Sequence, residues 1–98
     1  MKGYKTKEDV ESMSPNQLVS WFMVGCYAYY VLHKNTMLDE TFDYLVQRLK
    51  EEYDNSDHDH KQYITQDMLD SYTGFDIAYP MIVKHATVLY LKENGLWD

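Results

Sequence analysis

Residues 14–53 constrain the fold of this chain more than any other stretch. Ser14-Pro15-Asn16-Gln17 is a helix start: a serine cap, a proline at the first helical position, and a glutamine placed to close a capping box. Behind it Leu18, Trp21, Phe22, Gly25, Ala28, Tyr29 and Leu32 recur at spacings of three and four. That period predicts a helix to about Leu32 with one wide apolar stripe. Gly25 lowers helix propensity, which points to a close crossing by a neighbouring helix. His33 to Met37 forms a polar turn. A second helix is predicted from about Asp39 to Tyr53, with Phe42, Leu45, Val46, Leu49 and Tyr53 as its apolar face. Asp39 and Glu40 fall where the helix dipole favours negative charge, and Arg48 and Lys50 come later. Two long helices joined by so few residues fold back on each other as an antiparallel hairpin.

The flanking segments complete an all-α chain. Residues 1–13 read as a polar N-terminal segment with a helical turn around Lys7 to Ser12, and residues 14–98 as a single helical domain. Asn55 to Lys61 is a polar loop. Thr65 caps a short helix, Gln66 to Ser71, which Thr73-Gly74 ends. Phe75 to Tyr79 reads as an extended link. Pro80 opens a last helix to about Glu93, with Gly95 as its stop. Met81, Ile82, Val83, Ala86, Val88, Leu89, Tyr90 and Leu91 cover most of that helix's circumference, so it is either central or has a partner on one side. A homodimer through the last helix is one expectation. With no strand alternation, the predicted architecture is a small bundle of about four helices built on the hairpin.

Composition narrows the function classes. Ninety-eight residues leave room for one core. Sixteen acids against nine bases, a net charge of −7, argue against direct, non-specific nucleic-acid binding, which needs clustered cations. The excess acid serves solubility, or brings the chain to a basic surface on a protein partner. Ten tyrosines suit half-buried surfaces and ligand or partner sites. The single Cys26 cannot form an internal disulfide and reads as a small buried residue. The longest apolar run, Trp21 to Leu32, is too short to span a bilayer, and the opening residues are polar, so no membrane role and a cytoplasmic setting are expected. No serine–histidine–aspartate or cysteine–histidine pairing and no glycine-rich phosphate loop stands out.

Two groupings could carry chemistry. Asp39 and Asp43, four apart, emerge on one side of the second helix beside Phe42, while Tyr29 and Tyr30 close the first. Folded together they would make an aromatic notch with two acceptors at its lip. A flat cationic heteroaromatic ring with an amide suits such a place, and nicotinamide mononucleotide (NMN) fits that description. The plainer reading is a solvated first turn carrying helix-favourable acids. The second grouping is Asp57-His58-Asp59-His60, with His85 as a distant third imidazole. His58 and His60 alone fall short of a closed metal site, and a solvated loop or a histidine bonding a helix end is the alternative.

The stretch from Tyr27 to Tyr53, YAYYVLHKNTMLDETFDYLVQRLKEEY, resembles the small N-terminal (Ia) helical domain of bacterial NAD-dependent DNA ligases. There a "YY…D..YD" arrangement grips the nicotinamide half of NAD. Aligned without gaps, Tyr29 and Tyr30 match the aromatic pair, and Asp39 and Asp43 match the two acids. Phe42 stands where those ligases place a tyrosine, His33 where an aspartate is usual, and Leu38 where a small or turn-forming residue is usual. The resemblance implies NMN or NAD as ligand, with Tyr29, Tyr30, Asp39, Phe42 and Asp43 as binding residues. The Lys-x-Asp-Gly adenylation motif of ligases is absent, so the chain is expected not to be an enzyme of that kind. Residues 27 to about 84 also resemble, more faintly, small phage proteins described as ligase-related. His58-Asp59-His60-Lys61, Thr73-Gly74-Phe75 and Tyr79-Pro80 carry that likeness. The expectation is a non-catalytic, phage-type small binding protein with a ligase-like hairpin that recognises NMN or NAD. The alternative is an acidic interaction protein that binds and inhibits a host or defence protein.

Overall fold

A computed structural model of the chain describes residues 3–71, 77 and 79–97. The expected Thr73-Gly74-Phe75 turn, and the link to Tyr79 apart from Ile77 and Tyr79 itself, lie outside the described residues. These residues form five α-helices: α1 (Lys7–Glu11), α2 (Pro15–Cys26), α3 (Asp39–Glu52), α4 (Gln66–Ser71) and α5 (Met81–Glu93). Among the described residues there is no strand, only an isolated parallel bridge between Lys5 and Met37. The fold is a small all-α bundle.

The helix ends follow local chemistry. Ser14 and Gln17 form the reciprocal capping box, with the Ser14 Oγ accepting from the Gln17 N–H and Gln17 Oε1 accepting from the Ser14 N–H. Thr6 and Asp9 do the same for α1. At the C-terminus of α5, Gly95 adopts a left-handed φ of 70°. The Leu96 N–H bonds the Leu91 carbonyl at 2.8 Å and the Gly95 N–H bonds that of Lys92, a Schellman stop.

The core lies between α2 and α3, antiparallel as expected, with α5 against the other side of α2. Leu45, Val46 and Leu49 are buried on α3, and Phe42 and Tyr53 half-buried, which is the apolar face the sequence marks. On α2 burial is wider than a stripe: Val19, Met23, Val24 and Cys26 join Leu18 and Phe22 inside, and Ala28 just beyond its end is buried too. A helix flanked on two sides has no polar face to keep. On α5 only Val83, Thr87 and Leu91 are buried, while Met81, Ile82 and Leu89 stay exposed. That helix is peripheral, not central.

The N-terminal segment is built into the globule. Val10 is fully buried and Met13 nearly so. Arg48 Nη1 on α3 donates to the carbonyls of Val10 (2.9 Å), Glu11 (3.2 Å) and Met13 (3.2 Å), satisfying the acceptors at the end of α1. Ahead of α1, residues 3–5 form a strap. The Tyr90 hydroxyl donates to the Gly3 carbonyl, and Lys5 Nζ sits 4.6 Å from the Trp21 ring centre. The Lys5 N–H donates to the Thr36 carbonyl at 2.9 Å, tying the hairpin turn to the rest of the molecule.

Arg48 is thus a helix cap supplied from another helix. Arg48→Ala is expected to lower the unfolding free energy by about 2 kcal/mol, as expected for losing charged hydrogen bonds to half-buried carbonyls. Arg48→Lys should recover only part, because an ammonium lacks the planar fork. Urea unfolding of the three proteins checks this, and an alanine variant as stable as the natural chain would refute the capping role.

Candidate functional site

The site begins with a departure from α geometry. Tyr27–Val31 is π-helical, and its closing bond runs from the Leu32 N–H to the Tyr27 carbonyl, five residues back. The extra residue rotates the following side chains out of the stripe that the α period predicts. Tyr29, expected on the buried stripe, is 54% exposed, while Tyr30 is half-buried. The chain then reverses at His33, which has a left-handed φ of 58°. For a non-glycine residue that costs roughly 1–2 kcal/mol.

Between this turn and the start of α3 lies a hollow of about 200 Å³, lined by Gly25, Cys26, Tyr29, Tyr30, Asn35, Thr36, Met37, Asp39, Phe42 and Asp43. All five residues singled out from the sequence reach it. A second hollow of about 310 Å³ adjoins it, lined by Tyr29, Tyr30, His33 and Asn35. The two share Tyr29, Tyr30 and Asn35 and so adjoin; the first, reaching Gly25, Cys26 and Phe42, is here the inner hollow, and the second, bounded by His33, the outer. Phe42 stacks on Phe22, with ring centres 5.7 Å apart and planes 19° apart, which fixes one face of the inner wall. The Tyr29 and Tyr30 rings meet edge to face, 86° apart. Both cannot lay a face on one flat guest; one stacks while the other meets its edge.

Gly25 does not mark a close backbone crossing. A Cβ placed there would meet Phe42 Cε1 at 3.4 Å and Thr36 Oγ1 at 3.5 Å. The glycine leaves space beneath the ring of Phe42 and beside Thr36. Thr36 was not singled out from the sequence. It is 2% exposed, and its hydroxyl has no hydrogen-bond partner among the described residues. Leaving such a group buried costs about 1–3 kcal/mol. A lone threonine in a polar turn carries no sequence signal for this; its burial comes from the strap that holds its carbonyl.

Burial governs the titration of Cys26 and of two tyrosines close to it. It pushes the Cys26 thiol far above its ordinary 9.0. It also raises Tyr30, with Cys26 and Tyr29 adding to the effect, and raises Tyr79, with Cys26 and Tyr30 adding. These groups therefore remain neutral hydrogen-bonding groups near pH 7. Cys26 supplies no thiolate nucleophile.

The histidine loop is a structural clasp. His58 Nδ1 accepts from the His60 N–H at 3.0 Å and so caps the 3₁₀ turn Asp59–Tyr63. That fixes the proton on Nε2, which faces Ser20 Oγ on α2 at 2.9 Å as donor. Asn16 accepts from the Ser56 hydroxyl at 2.7 Å and donates to Asp57 at 2.8 Å, and Lys61 Nζ donates to the Ser56 carbonyl. Both ring nitrogens of His58 are engaged, which removes it as a metal ligand in this fold. Among the described residues no group of three or more histidine, cysteine, aspartate or glutamate side chains is placed to hold a metal.

Comparison of the chain with protein-family models, with curated proteins and with solved structures yields no match. No helix among the described residues is long and apolar enough to cross a membrane.

The burial of Cys26 and Tyr79 has a pH consequence. Both have folded-state pKa values raised above their ordinary ones, so their stabilising contribution is complete below the ordinary thiol and phenol range and is lost as pH rises beyond it. Unfolding free energy should hold steady near neutrality and fall from about pH 9 upward. For Cys26 the slope approaches about 1.4 kcal/mol per pH unit. Urea titrations at several pH values check this. The Cys26→Ala variant should show a shallower alkaline decline, and an unchanged slope would mean that the thiol is not buried.

Proposed function

We propose that this chain is a non-catalytic small binding protein whose hairpin hollow takes the nicotinamide ring of NMN or NAD. The observation that carries the reading is convergence: Tyr29, Tyr30, Asp39, Phe42 and Asp43 all line one concavity. The inner hollow has room for a ring and not for a nucleotide, so the sugar and phosphate lie in the outer hollow beside His33 and Asn35. The two together fall in the size range of small-molecule sites, about 300–1,000 Å³. Aromatic walls with two carboxylates at the lip complement a flat cationic ring. As with the phage proteins it resembles, the setting would be the cytoplasm of a host cell.

Calorimetric titration of NMN into the folded protein tests this. Saturable heat is expected, with a dissociation constant below about 1 mM, or more than roughly 4 kcal/mol of binding free energy. Gly25→Ala should weaken binding about tenfold by filling the floor, yet raise fold stability by about 0.5–1 kcal/mol through helix propensity. Asp43→Asn should weaken it through the lost charge. Folded protein that gives no heat with millimolar NMN removes the reading.

A second reading rests on α5. Met81 (65%), Ile82 (68%) and Leu89 (58%) are exposed on a helix whose other side is buried. On an acidic protein this favours an interaction module that binds and inhibits a host or defence protein, with a homodimer as the competing occupant of the same face. A stoichiometric, salt-sensitive partner lost in an Ile82→Glu/Leu89→Glu variant supports the module. A concentration-dependent mass in sedimentation, abolished by the same changes, assigns the face to a second copy instead.

A further inference from the structure

The binding reading leaves one buried group without a role: the Thr36 hydroxyl. It faces the inner hollow, is nearly inaccessible, and finds no partner among the described residues. Its position is enforced. The Lys5 N–H holds its carbonyl at 2.9 Å, and the next residue, Met37, pairs with Lys5 in the isolated bridge and is buried. The hydroxyl points toward Gly25, which also lines the hollow, and a Cβ there would stand 3.5 Å from it. A fold that pins a polar group in place and then leaves it unbonded has a hydrogen-bonding position ready for a guest.

Resting on the nicotinamide reading, we infer that Thr36 is the specificity residue of the hollow: its hydroxyl bonds the neutral carboxamide of the ring, and the site rejects the corresponding carboxylate. A threonine hydroxyl both donates and accepts, and a carboxamide offers a carbonyl acceptor and N–H donors, so either orientation satisfies the pair. A carboxylate could accept from the same hydroxyl, but seating it there would bring negative charge into a partly desolvated space lined by Asp39 and Asp43, and that charge is what rejects it. A ring with no polar substituent would leave the hydroxyl unbonded as before. The remaining nearby group at the floor, Cys26, is a neutral thiol and a weak donor, and it does not offset that repulsion.

Titration of NMN and of nicotinic acid mononucleotide into the full chain, its Thr36→Val variant and its Thr36→Ser variant tests the assignment. The natural chain should bind the amide form at least about tenfold more tightly than the acid form. Thr36→Val, nearly the same shape without the hydroxyl, should weaken the amide form about tenfold and leave the acid form within about twofold. Thr36→Ser should keep the amide form within about threefold. Thr36→Val should also melt at or above the temperature of the natural chain, because it removes an unbonded buried group. A valine variant that binds NMN as tightly as threonine overturns the assignment and leaves the nicotinamide reading standing, as does a natural chain that binds amide and acid alike. A valine variant that melts well below the natural chain shows the hydroxyl already bonded and overturns it too. Absence of heat with either mononucleotide removes the nicotinamide reading and this inference with it.

Discussion

The hydrogen bond from the Leu32 N–H to the Tyr27 carbonyl sets the geometry of everything around the hollow. An α-turn in its place would keep Tyr29 in register with Leu18, Phe22 and Gly25, pointing into the interface with α3. The π-turn admits one more residue. Tyr29 swings outward, Tyr30 comes to the edge of the core, and the chain leaves α2 out of phase with the helix that follows. His33 must then reverse it in a left-handed conformation, and the turn returns through Asn35 and Thr36 at a distance from α2. The hollow is the space that this offset leaves, floored by Gly25 because a larger residue there would reach Phe42 and Thr36.

Local preference and global fold agree almost everywhere else. Both capping boxes form, the proline sits at the first turn of α2, the acids of α3 lie at its N-terminus, and Gly95 ends α5 in a Schellman motif. The departures gather in one place: a π-turn, a left-handed histidine, a helical glycine and an unbonded buried hydroxyl, all within Gly25–Thr36. Each is unfavourable taken alone, and the strap from Lys5 to Thr36 and the buried Met37 hold them together. Such a gathering of unfavourable features marks a region shaped by something other than stability.

The parts of the fold that were legible in the sequence are those decided within a few residues. The Ser14 cap, the stop at Gly95 and the unbroken amphipathic period of α3 each depend on neighbours three or four positions away. The convergence of Tyr29, Tyr30, Asp39, Phe42 and Asp43 was also legible, because a short connection leaves a hairpin few ways to close. What was not legible depends on distant partners or on phase. Val10 sits in a polar segment, and its burial needs α3 and Arg48, thirty-eight positions on. His58 and His60 have a spacing that serves a metal pair and a helix cap equally, and only the position of Ser20 decides between them. The run from Tyr27 to Val31 is bulky and apolar at nearly every place, so nothing in it signals where the helix changes pitch.

Charge completes the description of the hollow. Several of the cations are engaged with the chain's own groups: Lys5 with Trp21, Lys61 with Tyr53, Lys34 and Lys92 with Trp97, Lys50 with Asp70, and Arg48 with the end of α1. The acids outnumber them, and Asp39 and Asp43, both exposed, line the hollow. A guest therefore meets a negative rim within about one Debye length, and then an aromatic interior where screening is weaker. Such a field would draw in the positive end of a dipolar guest of the kind proposed and leave its phosphate outward. On the proposed reading this field would favour entry ring first, the orientation that would bring a ring substituent to Thr36.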